Sequence, residues 1–129
     1  MNITVSDITT SGDILNKISL DIQNEKTTLR EIISSRIHSE VIEYNKNLSE
    51  FFNGLVQPKD SEKTLNGYKL KKKRVLDPEK QAYIALESFS KNGFFVLVDN
   101  KQVSDLNEEL IVTDLTPVQF VKLTPLVGG

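Results

Sequence analysis

The segment that most restricts the fold of this chain is residues 28–44, a strongly patterned stretch near the amino terminus. Its apolar side chains recur at helical spacing, and Thr28 with Glu31 forms a capping-box pattern at its start. The apolar face consists of Leu29, Ile32, Ile33, Ile37, Val41 and Tyr44. A helix with one apolar stripe has to bury that stripe against a second layer, so the remaining chain must supply that layer.

Alternating apolar residues before this helix predict that the second layer is a β-sheet. Residues 3–7 and 18–22 alternate apolar with polar side chains, and the turn-forming residues Ser11, Gly12 and Asp13 lie between them. This arrangement predicts an antiparallel hairpin of two half-buried strands.

Further strand signals occupy the last third of the chain. The sequence FFVLV at residues 94–98 predicts a strand buried on both faces, and residues 99–101 predict a tight turn into a short strand at residues 102–103. Residues 118–123 alternate again and predict a last strand. The order of these elements predicts an α+β fold with helices packed on one sheet.

Between the two strand regions the sequence predicts more helix. Residues 48–56 carry apolar side chains at roughly helical spacing and predict a helical run that stops at the Gly and Pro residues near its end. Asp77 as N-cap and Pro78 at the first helical position predict a second helix over residues 78–91. Gly93 is predicted to close this helix as its C-terminal cap.

Composition restricts the class of protein. The chain has 129 residues, a size typical of one domain, and its formal charge of −2 argues against a general nucleic-acid binder. No apolar run has the length of a membrane span, and the first residues lack the pattern of a signal peptide, so the cytoplasm is the expected compartment. Without cysteine the chain has no disulfide, no thiolate nucleophile and no cysteine zinc site.

The sequence ends with Gly128 and Gly129 directly after an apolar strand and the stretch Pro125-Leu126-Val127. Two adjacent glycines are expected by chance at a terminus in roughly 0.5% of chains, given average glycine usage. Glycine has no Cβ and accepts backbone angles that are closed to other residues. We therefore expect an exposed tail over residues 124–129 that is presented to a partner.

This combination of features resembles the β-grasp superfamily, which includes ubiquitin-like modifiers and the sulfur carriers of molybdopterin and thiamine synthesis. The resemblance covers residues 1–44 and 94–129 and lies mainly in the closing stretch, VLVDNKQVSDLNEELIVTDLTPVQFVKLTPLVGG. In that stretch a tight polar turn, a loop anchored by Leu106 and Leu110, an acidic turn at Asp114 and a final apolar strand precede the Gly-Gly end. The expected fold is one β-grasp domain over residues 1–129, a mixed sheet with a helix across it.

The resemblance implies that the first and last strands are parallel neighbours in the sheet. Residues 45–93 are extra relative to a minimal sulfur carrier and are expected to form a helical insertion that restricts the choice of partner. Val127 also departs from ubiquitin, which has an arginine at the matching position.

The resemblance implies that the whole protein is activated at its C-terminal carboxylate and carried as an acyl group. It implies no enzyme activity and no cofactor for the chain itself. A partner activating enzyme would use ATP to adenylate the carboxylate of Gly129, with Gly128, Val127, Leu126 and Pro125 recognised as the tail. One outcome is conjugation to target proteins through an activating and a conjugating enzyme. The other outcomes left open are a thiocarboxylate sulfur carrier and a non-covalent interaction module with an inert tail.

Other candidate residues are few. The basic run contains Lys69, Lys71, Lys72, Lys73 and Arg74, which form either a docking patch for an acidic partner, a phosphate-binding surface or, as such runs more often do, a solvated loop or edge strand kept soluble by charge. His38 is the sole histidine, so it has no second histidine with which to seed a metal site or a catalytic dyad and is expected to be an ordinary helix histidine; no metal ligands are assigned. Neither nucleic acid nor membrane is an expected partner.

Overall fold

The computed structural model describes residues 1–123. It is an α+β structure with a mixed sheet and two helices, as the sequence predicts. The chain divides into a first unit, residues 1–32 and 89–129, and a second unit, residues 33–88. The expectation of one domain over residues 1–129 stays a prediction.

The described elements are listed here in chain order. They are β1 (Asn2–Ile8), β2 (Ile14–Asp21), β3 (Lys26–Thr28), α1 (Leu29–Asn47), β4 (Phe51–Phe52), β5 (Ser61–Thr64), β6 (Gly67–Leu70), α2 (Pro78–Ser90), β7 (Phe94–Val98), β8 (Lys101–Gln102), β9 (Glu109–Ile111) and β10 (Val118–Lys122).

The first unit is built on a five-stranded sheet in the order β2-β1-β10-β7-β8. β1 pairs with β10 in parallel, with Val5 opposite Val118, and the other pairings are antiparallel. The prediction that the first and last strands are parallel neighbours in the sheet is therefore confirmed. Ile3, Val5 and Phe120 on one face are fully buried, so this face carries the core of the unit.

Both predicted turns of this sheet are confirmed. Gly12 has a φ of 92° between β1 and β2, a conformation that a side chain with a Cβ rarely adopts. Asp99 and Asn100 have φ values of 52° and 65°, and Val98 pairs with Lys101 across them. Two central residues with positive φ define a type I′ turn, which matches the twist of the flanking strands.

Two predictions for the first unit need correction. Strand β7 is not buried on both faces, because Phe94, Val96 and Val98 are buried whereas Phe95 and Leu97 are half-exposed. The sequence also gave no sign of a second, two-stranded sheet, in which β3 pairs with β9 and Thr27 lies opposite the buried Leu110. Leu110, expected only to anchor a loop, therefore lies in a strand.

Helix α1 begins after Thr28 and has the predicted buried face. All six predicted apolar residues are buried, and the Thr28 hydroxyl accepts a hydrogen bond from the Glu31 backbone N–H at 3.2 Å. The second half of the capping box differs, because the Glu31 carboxylate accepts its hydrogen bond from the Thr27 hydroxyl. The apolar pattern did not indicate Arg36, whose side chain is 1% exposed and lies 3.5 Å from the Glu40 carboxylate.

The predicted helical run at residues 48–56 is wrong. Leu48 has a φ of 44° directly after α1, and Phe51–Phe52 form β4 at one side of a three-stranded antiparallel sheet, β4-β6-β5. A Cβ at Gly54 would collide with the Phe52 ring, so glycine here permits close packing rather than ending a helix. The insertion expected at residues 45–93 is consequently part sheet, with α2 as its helix.

Helix α2 confirms the predicted start but not the predicted cap at its end. The Asp77 carboxylate accepts hydrogen bonds from the backbone N–H groups of Glu79 and Lys80 at 2.9 and 3.4 Å. At the other end Asn92, with a φ of 61°, is the left-handed residue in place of Gly93. Asparagine tolerates this conformation better than most residues with a side chain, so it closes the helix one position early.

Candidate docking site

The last described strand occupies the middle of the five-stranded sheet. β10 has β1 on one side and β7 on the other, and its side chains Val118 and Phe120 are buried on the inner face. Phe120 stacks on Phe94 of β7, with ring centroids 5.7 Å apart. Pairing with β1 up to Val121 and with β7 up to Lys122, together with a buried aromatic ring, fixes this strand.

A partly buried charge pair lies on the inner face where β10 ends. The Asp7 carboxylate of β1 lies 3.8 Å from the Lys122 ammonium, and the two side chains are 2% and 37% exposed. A carboxylate held away from water requires a counter-charge or hydrogen bonds. Lys122 therefore contributes both to the stability of β1 and to the position at which the chain leaves the sheet.

The outer face of the sheet carries apolar side chains at the same end. The strand register aligns Ile8, Val121 and Phe95 across three neighbouring strands, and Ile14 pairs with Ile8 across a β-bulge that follows Asp7; we call these four residues the outer apolar row. Ile14 is 59% exposed, Val121 and Phe95 are half-exposed, and Ile8 is buried. Side chains directly opposite each other on neighbouring strands lie in contact, so Ile8, Val121 and Phe95 form an apolar strip, which Ile14 borders at the bulge.

The neighbouring row on the outer face is mostly polar. Lys17, Ser6, Gln119 and Leu97 occupy its four positions, so only one end of the face is apolar from edge to edge. That end is the one at which β10 finishes, because Val121 stands two residues before Leu123. Leu123 is itself 38% exposed.

The predicted tail lies outside the described residues. Pro125, Leu126, Val127, Gly128 and Gly129 all follow Leu123 in the chain, and the prediction made for them stays a prediction. What the structure describes is their point of attachment, a strand in the centre of a sheet.

The predicted basic patch belongs to the second unit. Lys69 lies on β6 and its ammonium is 3.7 Å from the Glu50 carboxylate. Lys71, Lys72, Lys73 and Arg74 follow β6 and are all exposed. Lys59 was not predicted to belong to this patch. Its backbone carbonyl accepts a hydrogen bond of 2.8 Å from the Arg74 guanidinium, which places Lys59 beside the basic residues.

Two tyrosines of the second unit have shifted ionisation. Burial raises the pKa of the Tyr44 phenol, and the positive charge of Arg74 partly opposes the shift. Burial also raises the pKa of Tyr68, and the negative charge of Glu40 adds to it. Both phenols stay protonated through neutral pH, so neither supplies a base there.

A shallow cleft of about 440 Å³ in the first unit is lined by both polar and apolar residues. Arg30 of this lining donates a hydrogen bond to the Asn107 side chain at 3.1 Å, and Phe89, Val103 and Leu106 contribute apolar surface. The described lining residues include two serines but no histidine, so they do not form a nucleophile–base pair of the Ser-His type.

Among residues 1–123 no group of three or more histidine, aspartate or glutamate side chains is arranged to hold a metal ion. His38 lies half-buried on α1. Within the same described part of the chain, neither helix combines the length and the apolarity that crossing a bilayer requires.

The sequence alone does not indicate the outer apolar row, because the row depends on strand register. Phe95 and Val121 were expected to belong to strands, but only the pairing of four strands shows that they align with Ile8 and Ile14. Comparison with protein-family models, curated proteins and solved structures found no match to this chain.

Proposed function

We propose that this chain is a ubiquitin-like protein modifier of β-grasp fold. In this proposal a partner activating enzyme adenylates the carboxylate of Gly129, and the activated chain passes to target proteins. The chain itself contributes the carboxylate and a recognition surface, and its partners contribute the catalytic groups.

The parallel pairing of β1 with β10 is the observation that carries the proposal. Because of it, the final strand ends between two neighbours rather than at a free edge, and its last residue is held by the Asp7–Lys122 pair. A segment attached to such a strand starts from a fixed position. A fixed start lowers the conformational entropy lost when an enzyme binds the segment, which favours presentation of residues 124–129.

The outer apolar row supports the proposal as a docking surface. Six residues offer an enzyme little area to bind, so an activating enzyme needs further contacts on the folded part. The row lies on the sheet beside the point where the tail begins, and Val121 belongs to the row while standing two residues before Leu123. An enzyme that holds the tail is thus well placed to cover the row.

The proposed chemistry makes few demands on this chain. A carboxylate oxygen of Gly129 attacks the α-phosphorus of ATP, the bond to pyrophosphate breaks, and an acyl adenylate forms. A thiol of an enzyme then attacks the acyl carbon and AMP leaves, after which a target amine displaces the thiol. Two glycines at the end suit a narrow channel, because a Cβ at either position would widen the chain.

A sulfur carrier is the second candidate, favoured by the sequence from Pro125 to Gly129, which resembles the sulfur carriers more than ubiquitin. In this case sulfide rather than an enzyme thiol displaces AMP, and the product is a thiocarboxylate. The same strand and the same docking surface serve both outcomes.

The experiment uses an amino-terminally tagged chain produced in its native host. We expect tagged species of higher mass that survive reduction, and mass spectrometry should find Gly129 linked to amines of other proteins. Removal of Gly128 and Gly129 should abolish these species. A thiocarboxylate, about 16 Da heavier than the carboxylate, with no conjugates would favour the sulfur carrier instead.

Paired substitutions on the outer face test the docking surface. Val121→Lys places a charge in the outer apolar row, and Thr4→Lys places the same charge on β1 at the other end of that face. Conjugates should decrease with Val121→Lys and persist with Thr4→Lys. Equal amounts of conjugate in both variants would remove the row from the proposal.

A further inference from the structure

We propose that the second unit binds an acidic peptide segment of a protein partner through Lys59 and the exposed residues Lys71–Arg74, which we call the basic loop. This inference concerns a different unit from the proposed tail chemistry and does not depend on it. The candidate surface is described entirely by residues 59–76 and the residues that hold them.

Charge is distributed unevenly along the chain. Residues 33–88 contain ten of the 16 Lys and Arg residues but eight of the 18 Asp and Glu residues, which gives them a formal charge of +2. The remaining residues carry −4 by the same count. A protein that is acidic as a whole thus has its densest positive charge in one short loop.

The lysines of the basic loop are exposed, and their charges are not neutralised within the described structure. Among residues 1–123, Lys71, Lys72 and Lys73 form no ion pair within 4 Å, unlike Lys69, which faces Glu50. Lys59 is likewise exposed. These ammonium groups are available to carboxylates from another molecule.

Hydrogen bonds hold the basic loop in place at three points. The Lys71 backbone N–H donates to the Asp60 carbonyl at 3.1 Å, and the Arg74 guanidinium donates to the Lys59 carbonyl at 2.8 Å. After the loop, the backbone N–H and carbonyl of Leu76 both bond to the Asn45 side chain at 2.9 Å. A loop that is already ordered loses less entropy on binding than a flexible charged tail.

The dimensions and surroundings of the loop favour a short peptide over a long polyanion. Asp60, Glu62 and Asp77 flank the basic residues in the sequence, so the positive field is local and does not form a stripe. Nucleic acids and anionic membranes bind best to extended basic surfaces. Val75, 63% exposed beside Arg74, offers an apolar contact that a peptide side chain can use.

The binding assay measures fluorescence anisotropy with a labelled peptide that repeats Glu-Gly-Glu-Leu. Lys71→Gln/Lys73→Gln should weaken peptide binding about tenfold, since each exposed charge pair contributes roughly a threefold change in affinity. The matched control, Lys17→Gln/Lys101→Gln, removes two exposed lysines of the first unit and should stay within about twofold of the unmodified chain. Urea unfolding of both variants checks that the fold is retained.

Three competing ligands complete the experiment: a peptide with Gln in place of Glu, a single-stranded oligonucleotide, and vesicles of phosphatidylcholine with phosphatidylserine. We expect the acidic peptide to bind most tightly and to weaken as salt is added. The proposal is overturned by absence of peptide binding, by equal effects of the two double variants, or by tighter binding to the oligonucleotide or vesicles. Loss of Gly128 and Gly129 should leave peptide binding unchanged, which separates this surface from the tail.

Discussion

Asn45 should be one of the most sensitive polar residues of the second unit. Its amide accepts a hydrogen bond from the Leu76 N–H and donates one to the Leu76 carbonyl, both at 2.9 Å. It thereby acts as the partner that a neighbouring strand would otherwise provide. Leu76 is 3% exposed, so water does not easily replace these bonds when the amide is removed.

The expected cost of Asn45→Ala follows from this geometry. Two hydrogen bonds contribute about 1 kcal/mol each, and leaving a buried N–H and carbonyl without partners adds a further part of their desolvation free energy. Alanine has a higher helix propensity than asparagine, which offsets about 0.5 kcal/mol of this loss of stability within α1. We expect the free energy of unfolding to decrease by about 2 kcal/mol.

Urea denaturation at neutral pH measures this difference, and Asn47→Ala is the matched control. Asn47 is exposed at the last position of α1, so the same change should move the free energy of unfolding by less than about 0.5 kcal/mol. Amide hydrogen exchange adds a local readout, because the Leu76 N–H should exchange faster in Asn45→Ala. Unchanged stability together with unchanged exchange at Leu76 would refute the reasoning, as would equal effects at the two asparagines.

Three further predictions concern charge, ionisation and backbone conformation. Lys122→Met should lower the free energy of unfolding by about 1 kcal/mol, because Asp7 loses a partly solvated counter-charge. Adding Asp7→Asn to the same chain should restore part of the lost stability, and thermal melts of the single and double variants test this. Tyr44→Phe should stabilise the protein by up to about 1 kcal/mol, since its buried hydroxyl has no hydrogen-bond partner among the described residues. Burial raises the pKa of Tyr44, so the folded state is unaffected by this group below about pH 10 and loses stability as pH rises further. Alkaline unfolding followed by tyrosinate absorbance should therefore be less steep in Tyr44→Phe, and equal steepness would contradict this. Asn100→Ala should lower the free energy of unfolding by about 1 kcal/mol in urea denaturation, because alanine disfavours the left-handed conformation that a φ of 65° requires. Asn100→Gly should change it little, because glycine adopts this conformation readily.

The sequence by itself determined the elements whose cause is local. The buried face of α1 follows from apolar spacing, the start of α2 from Asp77 and Pro78, and the turn after β7 from Asp99 and Asn100. Each depends on residues within a few positions of one another, and helix caps and tight turns are defined over that range. The resemblance to β-grasp proteins added one long-range prediction, the parallel pairing of β1 with β10.

Tertiary structure decided the features that depend on distant partners. The sequence at residues 48–56 has helical spacing, yet Phe52 becomes a strand residue because it pairs with Tyr68 and packs against Gly54. β3 and β9 are too short to be identified before Thr27 meets Leu110. Helical and strand patterns of short apolar runs overlap, so the available partner decides between them.

The same division applies to the candidate sites. The sequence alone indicated the Gly-Gly motif and the run from Lys69 to Arg74, since both are continuous in the chain. Only the register of four strands aligned the outer apolar row, and only the hydrogen bond from Arg74 brought Lys59 to the basic loop. A strand shifted by one residue would turn Val121 to the opposite face, so a surface of this kind exists only once the sheet has formed.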